Sequence, residues 1–414
     1  MGTSDWGTPV SFGTKTSYSN VNEQAKLLAS NGVAGDRLGY SIAIDSSGDT
    51  VIVGAYAADP LGYLQAGAVY VFVRVTGTWS QQAILTADDK ANNDYFGYSV
   101  AISNDGNRAI IGASQDDSNK GAAYIFTRSG TAWSQEYKIV DANGASNFYF
   151  GCAVAMSGNG DRVVIGAYAD NLGGTSSGAA AIYNRSVTST WSLASKVQAS
   201  DAAPSDLFGI AVSISKDGST VLVGAYLDDD KGTSSGSAYV FTEISTIWIQ
   251  QTKLVPADGA ASDNFGRSLC LSGNGDIAVI SSFLDDTAFT DAGSAYIFKR
   301  NPDTSWVQYA KITPSDPVLE HWLGGCVYIN ENATMVALSA NGDDTKGTNA
   351  GAVYIFTDQA GVWTQYAKIT ASDTATVDYF GYSLAINSNG TTIAVGTVYD
   401  DDKGSNAGAA YIFS

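Results

Sequence analysis

Histidine occurs once in these 414 residues, at position 321, and a single imidazole excludes zinc sites built from several histidines. Cysteine is scarce as well. Cys152, Cys270 and Cys326 are an odd number in a long chain, which argues against a disulfide framework and for buried free thiols. Only 22 Lys and Arg face 41 Asp and Glu, a net charge of −19, which disfavours nucleic acid as a partner. No apolar run approaches the ~18 residues that span a membrane, so no membrane insertion is expected. Met1–Trp6 has neither a basic start nor an apolar stretch, so no signal peptide is read there, and residues 1–19 are expected to be a leader or extension. Walker loops, HExxH motifs and Gly-x-Ser-x-Gly elbows are all missing. Paired carboxylates for glycoside chemistry would have to be special to one or two places, whereas the aspartates recur throughout. The chain is therefore not expected to be an enzyme.

What is abundant is glycine (45) and tyrosine (23), and both are periodic. An aromatic residue or Leu precedes Gly at Leu38-Gly39, Phe96-Gly97, Phe150-Gly151, Phe208-Gly209, Phe265-Gly266, Leu323-Gly324 and Phe380-Gly381, 54 to 58 residues apart. Fifteen residues after each of these glycines stands Gly54, Gly112, Gly166, Gly224, Ser281, Ser339 or Gly396. A further Gly then lies three residues before Tyr70, Tyr124, Ala181, Tyr239, Tyr296, Tyr354 or Tyr411. Each unit reads as four short alternating strands with tight turns and no 3.6-residue period, so helix should be almost absent. Seven four-stranded units make an all-β, seven-bladed propeller over residues 20–414, because one blade cannot bury both of its faces alone. The last repeat ends after its third strand, at Tyr411–Phe413, whereas Ala25–Ser30 carries the fourth-strand pattern of Ala367–Ser372. Residues 20–30 are expected to supply the outer strand of the final blade and close the ring.

These registers resemble the FG-GAP repeats that build the N-terminal propeller of integrin α subunits. The resemblance covers the chain from about residue 20 and implies an extracellular or cell-surface module for adhesion or recognition. The first element is kept with Leu for Phe in repeats one and six, whereas the second is loose, with Gly54-Ala-Tyr56 and Gly166-Ala-Tyr168 lacking Pro. Integrin-type repeats often hold calcium in an Asp-rich loop between strands one and two. Here that connection is a tight turn such as Asp45–Asp49, too short for the six to eight oxygens calcium takes, so those sites are not carried over.

In a four-stranded meander, the loops from strand two to three and from strand four to the next blade share one face. Most of the carboxylates fall on it and few of the bases, so the acidity belongs to that face. Asp36, Asp94, Asp206, Asp263 and Asp378 each stand three residues before the repeat glycine, a slot held by His321 in repeat six and Phe148 in repeat three. The two-to-three loops add Asp116, Asp117, Asp228, Asp229, Asp230, Asp285, Asp286, Asp343, Asp344, Asp400, Asp401 and Asp402. Two readings stand side by side for these aspartates. They fold the loops by accepting backbone N–H bonds, or they capture a cation, calcium or a basic partner. No cofactor is required, and calcium is the metal that these residues would take.

Tyr56, Tyr168 and Tyr226 end second strands beside the acidic loops and, with His321, are candidates for the ligand-binding face. Six tryptophans, from Trp79 to Trp363, begin fourth strands and are expected to pack. Lys26, Lys138, Lys196, Lys253, Lys311 and Lys368 recur on the outermost strand, where edge lysines discourage sheet-to-sheet pairing. Three Asn-x-Ser/Thr sequons, at Asn184, Asn332 and Asn389, are common in so Asn-rich a chain. Together these features point to a rigid disc, monomeric or part of a larger assembly, that binds a protein or glycan through its acidic face. The rivals are a structural block of a coat, matrix or virion and a lectin with sugars between blades.

Overall fold

Alternation of period two, broken by Gly, Asn and Asp every several residues, makes hairpin after hairpin. In the computed structural model, which describes residues 21–414, these hairpins form seven four-stranded antiparallel sheets. Blade 2 is typical, with strands Phe96–Ile102, Arg108–Ala113, Ala122–Ser129 and Ala132–Ile139 laid side by side in chain order. The inner strands of neighbouring blades touch and ring a central axis. Among the described residues, helix is confined to one turn at Asp116–Asn119 and a 3-10 turn at Pro60–Gly62.

The second strand of each blade is buried on both sides. Thr50–Ala55 is buried at every position, so it reads as a continuous apolar run, not an alternating one. Its partners lie in two blades at once. Ile52, Val69 and Val71 of blade 1 pack with Phe96, Ile111 and Tyr124 of blade 2, so the core exists only between blades. The ring closes as the sequence requires. Glu23–Leu27 pairs antiparallel with Ala409–Phe413 and completes blade 7, with Lys26 opposite Tyr411. The N-terminal extension expected at 1–19 lies outside the described residues.

The two repeated glycines are explained by close approach. Gly121 has φ +84, and a Cβ there would meet the carbonyl oxygen of Phe150 at 2.0 Å. That carbonyl belongs to the opening residue of the next blade, which runs parallel to Gly121 as an isolated bridge. A Cβ on Gly112 would likewise lie 2.0 Å from the Gly151 carbonyl. Blades 5 and 6 carry Ser281 and Ser339 at this second position. There the serine hydroxyls accept the Ser268 and Cys326 backbone N–H groups. The loose repeat element is thus compensated locally.

The tryptophans pack as expected. Trp191 and Trp248 are buried, and the guanidinium of Arg162 lies 5.3 Å from the Trp248 ring centre. No disulfide is formed; burial pushes the Cys152 thiol up to about 12 and Cys326 to about 11, which leaves them unreactive.

Candidate functional site

The loop face carries two kinds of structure, an ionic socket repeated in blades 2 to 7 and an aromatic mouth at the axis. The socket starts from strand pairing. The Tyr-position residue of strand three faces the lysine of strand four, as in Tyr124 with Lys138 and Tyr239 with Lys253. Directly opposed residues point to the same side of the sheet. A register shift one residue further on, between Ile125 and Phe126 in blade 2, bulges the outer strand and separates this lysine half from the tryptophan half.

Each lysine turns under the loops and meets carboxylates from two of them. Lys253 Nζ lies 2.7 Å from Asp201, 3.0 Å from Asp228 and 2.6 Å from Asp230. Lys26 does the same in blade 7, at 2.9 Å from Asp373, 2.7 Å from Asp400 and 2.6 Å from Asp402. Lys138 bridges Asp89 and Asp116, and Lys196 bridges Asp141 and Asp170. Lys311 bridges Asp258 and Asp285, and Lys368 bridges Asp316 and Asp343. The buried tyrosine hydroxyl donates into the same group, from Tyr239 to Asp201 and Asp228 at 2.9 Å each. The edge-lysine reading is therefore corrected. These side chains do not guard an open edge; they are held as counter-ions, at 15–28% side-chain exposure.

The other aspartates hold the loops. Asp36, Asp206, Asp263 and Asp378 accept the backbone N–H three residues earlier at 2.7–2.9 Å, and Asp94 does so at 2.5 Å. Asp229, Asp286, Asp344 and Asp401 accept the N–H five residues later at 2.7–2.8 Å, while Asp117 pairs with Lys120. Burial pushes Asp94, Asp263 and Asp378 up to about 6. Asp89, Asp201, Asp285 and Asp373 are instead lowered: their burial works in the other direction, and the lysine beside each outweighs it.

His321 is fully buried, so it is not presented on the ligand-binding face. Its Nε2 lies 2.9 Å from Asp343 and 3.2 Å from the Tyr354 hydroxyl, joining the socket of blade 6. The hydrogen bond from His321 and the ammonium of Lys368 hold Asp343 far below the usual carboxylate range despite its burial.

Asp201, Asp228 and Asp230 converge closely enough to ligate one metal ion, but the Lys253 ammonium already bonds all three. Sequence reasoning missed Asp89, Asp141, Asp201, Asp258, Asp316 and Asp373. Their signal was present, as Ala199-Ser200-Asp201 and Ala371-Ser372-Asp373 after the fourth strand. Blade 1 breaks this pattern at every member. Asn31 stands in Ala29-Ser30-Asn31, Ala58 replaces the second carboxylate, and Ile84 faces Tyr70 where the lysine belongs.

The mouth is aromatic. Tyr40, at the start of an inner strand, lies 4.9 Å from Tyr98 and 5.1 Å from Tyr382 between ring centres, linking blades 7, 1 and 2. Tyr56 packs on Tyr40 at 4.4 Å and on Tyr95 at 4.9 Å, and Arg37 hydrogen-bonds the Tyr56 hydroxyl. Tyr168 stacks parallel on Tyr149 at 5.0 Å, and Arg267 lies 5.9 Å from Tyr226 and 5.0 Å from Phe283. All three tyrosines expected on this face are thus at the mouth, with Tyr56 buried and the other two half-buried. Just before each repeat glycine pair, one residue adopts φ of 53° to 60°, including Tyr95, Tyr149, Trp322 and Tyr379. Glycine would adopt this conformation more cheaply, by roughly 1–2 kcal/mol per residue.

Seven consecutive segments match the FG-GAP repeat, at residues 21–72, 79–126, 133–183, 191–241, 248–298, 306–356 and 363–413. This chain belongs to the FG-GAP repeat family. Each match runs from the outer strand of one blade through the third strand of the next, so an FG-GAP repeat in sequence straddles two blades in space. No curated protein matches the chain. Among the described residues, no helix is long and apolar enough to cross a membrane.

Proposed function

We propose that this FG-GAP propeller is a non-enzymatic recognition module, extracellular or at the cell surface, that binds a protein or glycan ligand through its loop face. The observation that carries this reading is the convergence of half-buried aromatic rings at the channel mouth of that face, inside a rim of aspartates. Tyrosine offers a rigid surface with a polar tip, suited both to protein contacts and to stacking on sugars. The chain's own lysines serve as counter-ions to the socket carboxylates, so this reading requires no calcium. The test is a parallel screen of the full chain on a glycan array and a peptide display library, repeated with Tyr149→Ala/Tyr379→Ala. Ligands that lose affinity for this variant support the reading. Ligands indifferent to it place recognition elsewhere. Concentration-dependent assembly with no ligand would favour a structural block instead.

A further inference from the structure

The bases of this protein differ in what holds them. Arg74, Arg162 and Arg300 on the opposite face, and the outer-strand lysines on this one, all meet carboxylates. Arg37 and Arg267, at the channel mouth, meet rings instead, and among the described residues they form no salt bridge. Lys90, Lys231, Lys346 and Lys403 also lack a carboxylate there, but no ring fixes them. Arg267 stands one residue after the repeat glycine on the innermost strand of blade 5, Phe265–Leu271. The same register holds Tyr40, Tyr98 and Tyr382 in blades 1, 2 and 7, across the ring, and no other charge. Arg267 alone at this register is exposed. Its guanidinium lies between Tyr226 of blade 4 and Phe283 of its own blade, 5.9 and 5.0 Å from the ring centres. The charges that bear most strongly on the Tyr56, Tyr98 and Tyr382 hydroxyls are these two guanidiniums, with no carboxylate beside them. The centre of an acidic face is therefore cationic, because the aspartates are drawn to the outer lysines or bonded within their own loops.

We infer that the mouth binds the carboxylate of an acidic sugar at the end of an otherwise neutral glycan. A ring against the face of a guanidinium fixes its plane and leaves the N–H edge free. That edge matches a carboxylate through two parallel hydrogen bonds. The Arg267 side chain donates to no protein acceptor among the described residues, so its edge is open to a ligand. The ring faces and hydroxyls around it match the faces and oxygens of a sugar. A ligand charged along its whole length would be repelled by the aspartate rim, whereas a single terminal acid reaches the axis with a neutral chain behind it. The inference rests on the recognition reading and narrows its ligand to one class.

The test is a glycan array on which oligosaccharides ending in sialic or uronic acid are each printed beside their carboxyl-reduced form, with peptides ending in a free carboxylate as a third set. The full chain is compared with Arg267→Gln and with Lys231→Gln, which removes an equally unpaired charge from the same face. Both variants should melt with the parent, since both side chains are exposed. The expected result is binding of acidic glycans that falls at least about tenfold on carboxyl reduction or in Arg267→Gln, and stays within about twofold in Lys231→Gln. Acidic glycans that bind Arg267→Gln as well as the parent would overturn the mouth as their site. An equal loss in Lys231→Gln would reduce the effect to overall charge and overturn it too. Preference for the carboxyl-reduced forms would leave the recognition module standing and overturn its anion chemistry. Peptide carboxylates bound without any glycan would overturn the sugar. With no ligand on the array this inference fails, and the recognition reading is then decided by the Tyr149→Ala/Tyr379→Ala screen.

Discussion

Blades 4 and 1 share their strand order and second-strand length, yet they fill the same corner with opposite chemistry. Blade 4 holds Lys253 among Asp201, Asp228 and Asp230 under the hydroxyl of Tyr239. Blade 1 has Ile84, Asn31 and Ala58 around Tyr70. Both tyrosines are buried to the same degree, and both blades carry a register shift in the outer strand, after Val240 and after Val71. The fold therefore does not need the ion group. A buried ion pair is a weak source of net stability and a large liability when half of it is removed, whereas an uncharged replacement of the whole group is tolerated. The charged members are absent together in blade 1, in keeping with that asymmetry.

The largest expected effect comes from removing what makes all blades equivalent. Deleting residues 21–28 takes the outer strand and Lys26 from blade 7 and leaves Tyr411, Asp373 and Asp400 facing water. The expected outcome is loss of the monomeric cooperative fold, by unfolding or strand exchange between chains, read by size exclusion with thermal melting. A monomer of unchanged melting temperature would contradict ring closure by this strand.

Next in size is the contrast between breaking a socket and rewriting it. Lys253→Met should destabilise the protein by about 2–4 kcal/mol, below the full cost of a buried broken pair because Asp201 and Asp230 are half-exposed. The triple variant Asp201→Asn, Asp228→Ala, Lys253→Ile copies blade 1 into blade 4 and should lie within about 1 kcal/mol of the parent. Chemical denaturation of both decides the matter. If the triple variant proves as unstable as the single one, blade 1 owes its tolerance to something beyond these three positions.

Calcium sharpens the same comparison. With the ammonium in place, the parent protein should melt identically in chelator and in calcium. Lys253→Ser frees three converging carboxylates, and calcium should then raise its stability, by ~2.7 kcal/mol at a hundredfold excess over the dissociation constant. A calcium-dependent rise in the parent would show that the lysines do not satisfy the rim.

The smallest effect is the pH profile. Asp94, Asp263 and Asp378 are raised by burial to about 6, so the folded state binds protons that the unfolded chain has already released between their ordinary value and 6. Their contribution to stability falls as pH rises through that window. Asp89, Asp201, Asp285 and Asp373 are lowered by their lysines, and their contribution is lost as pH drops below the ordinary carboxylate value. Melting temperature should therefore peak near the ordinary carboxylate value, at about pH 4, and fall as pH rises toward 6. Substituting Asp263→Asn should flatten the fall on the neutral side. A maximum at neutral pH would mean that the raised group does not govern this range.

The sequence by itself determined the architecture, because strand alternation and close-approach glycines are local requirements repeated seven times in a fixed register. Gly121 could be read as obligatory before anything was known of Phe150, and the unpaired fourth-strand pattern at Ala25–Ser30 could be read as the closing strand. It also located the acidity on one face, since a meander allows only two ends for its loops. What the tertiary structure alone decided is what the charges do. Lys253 is an ordinary outer-strand lysine in the sequence, and only the folding of two distant loops over it, 52 and 25 residues away, turns it into their shared counter-ion. His321 looked like a surface residue because its slot belongs to an acidic rim, but that slot is buried and bonded inward. Alternation and turn chemistry act between neighbours and are written in order along the chain. Electrostatic pairing and exposure depend on distance in space, and distance is set only when the blades close around the axis.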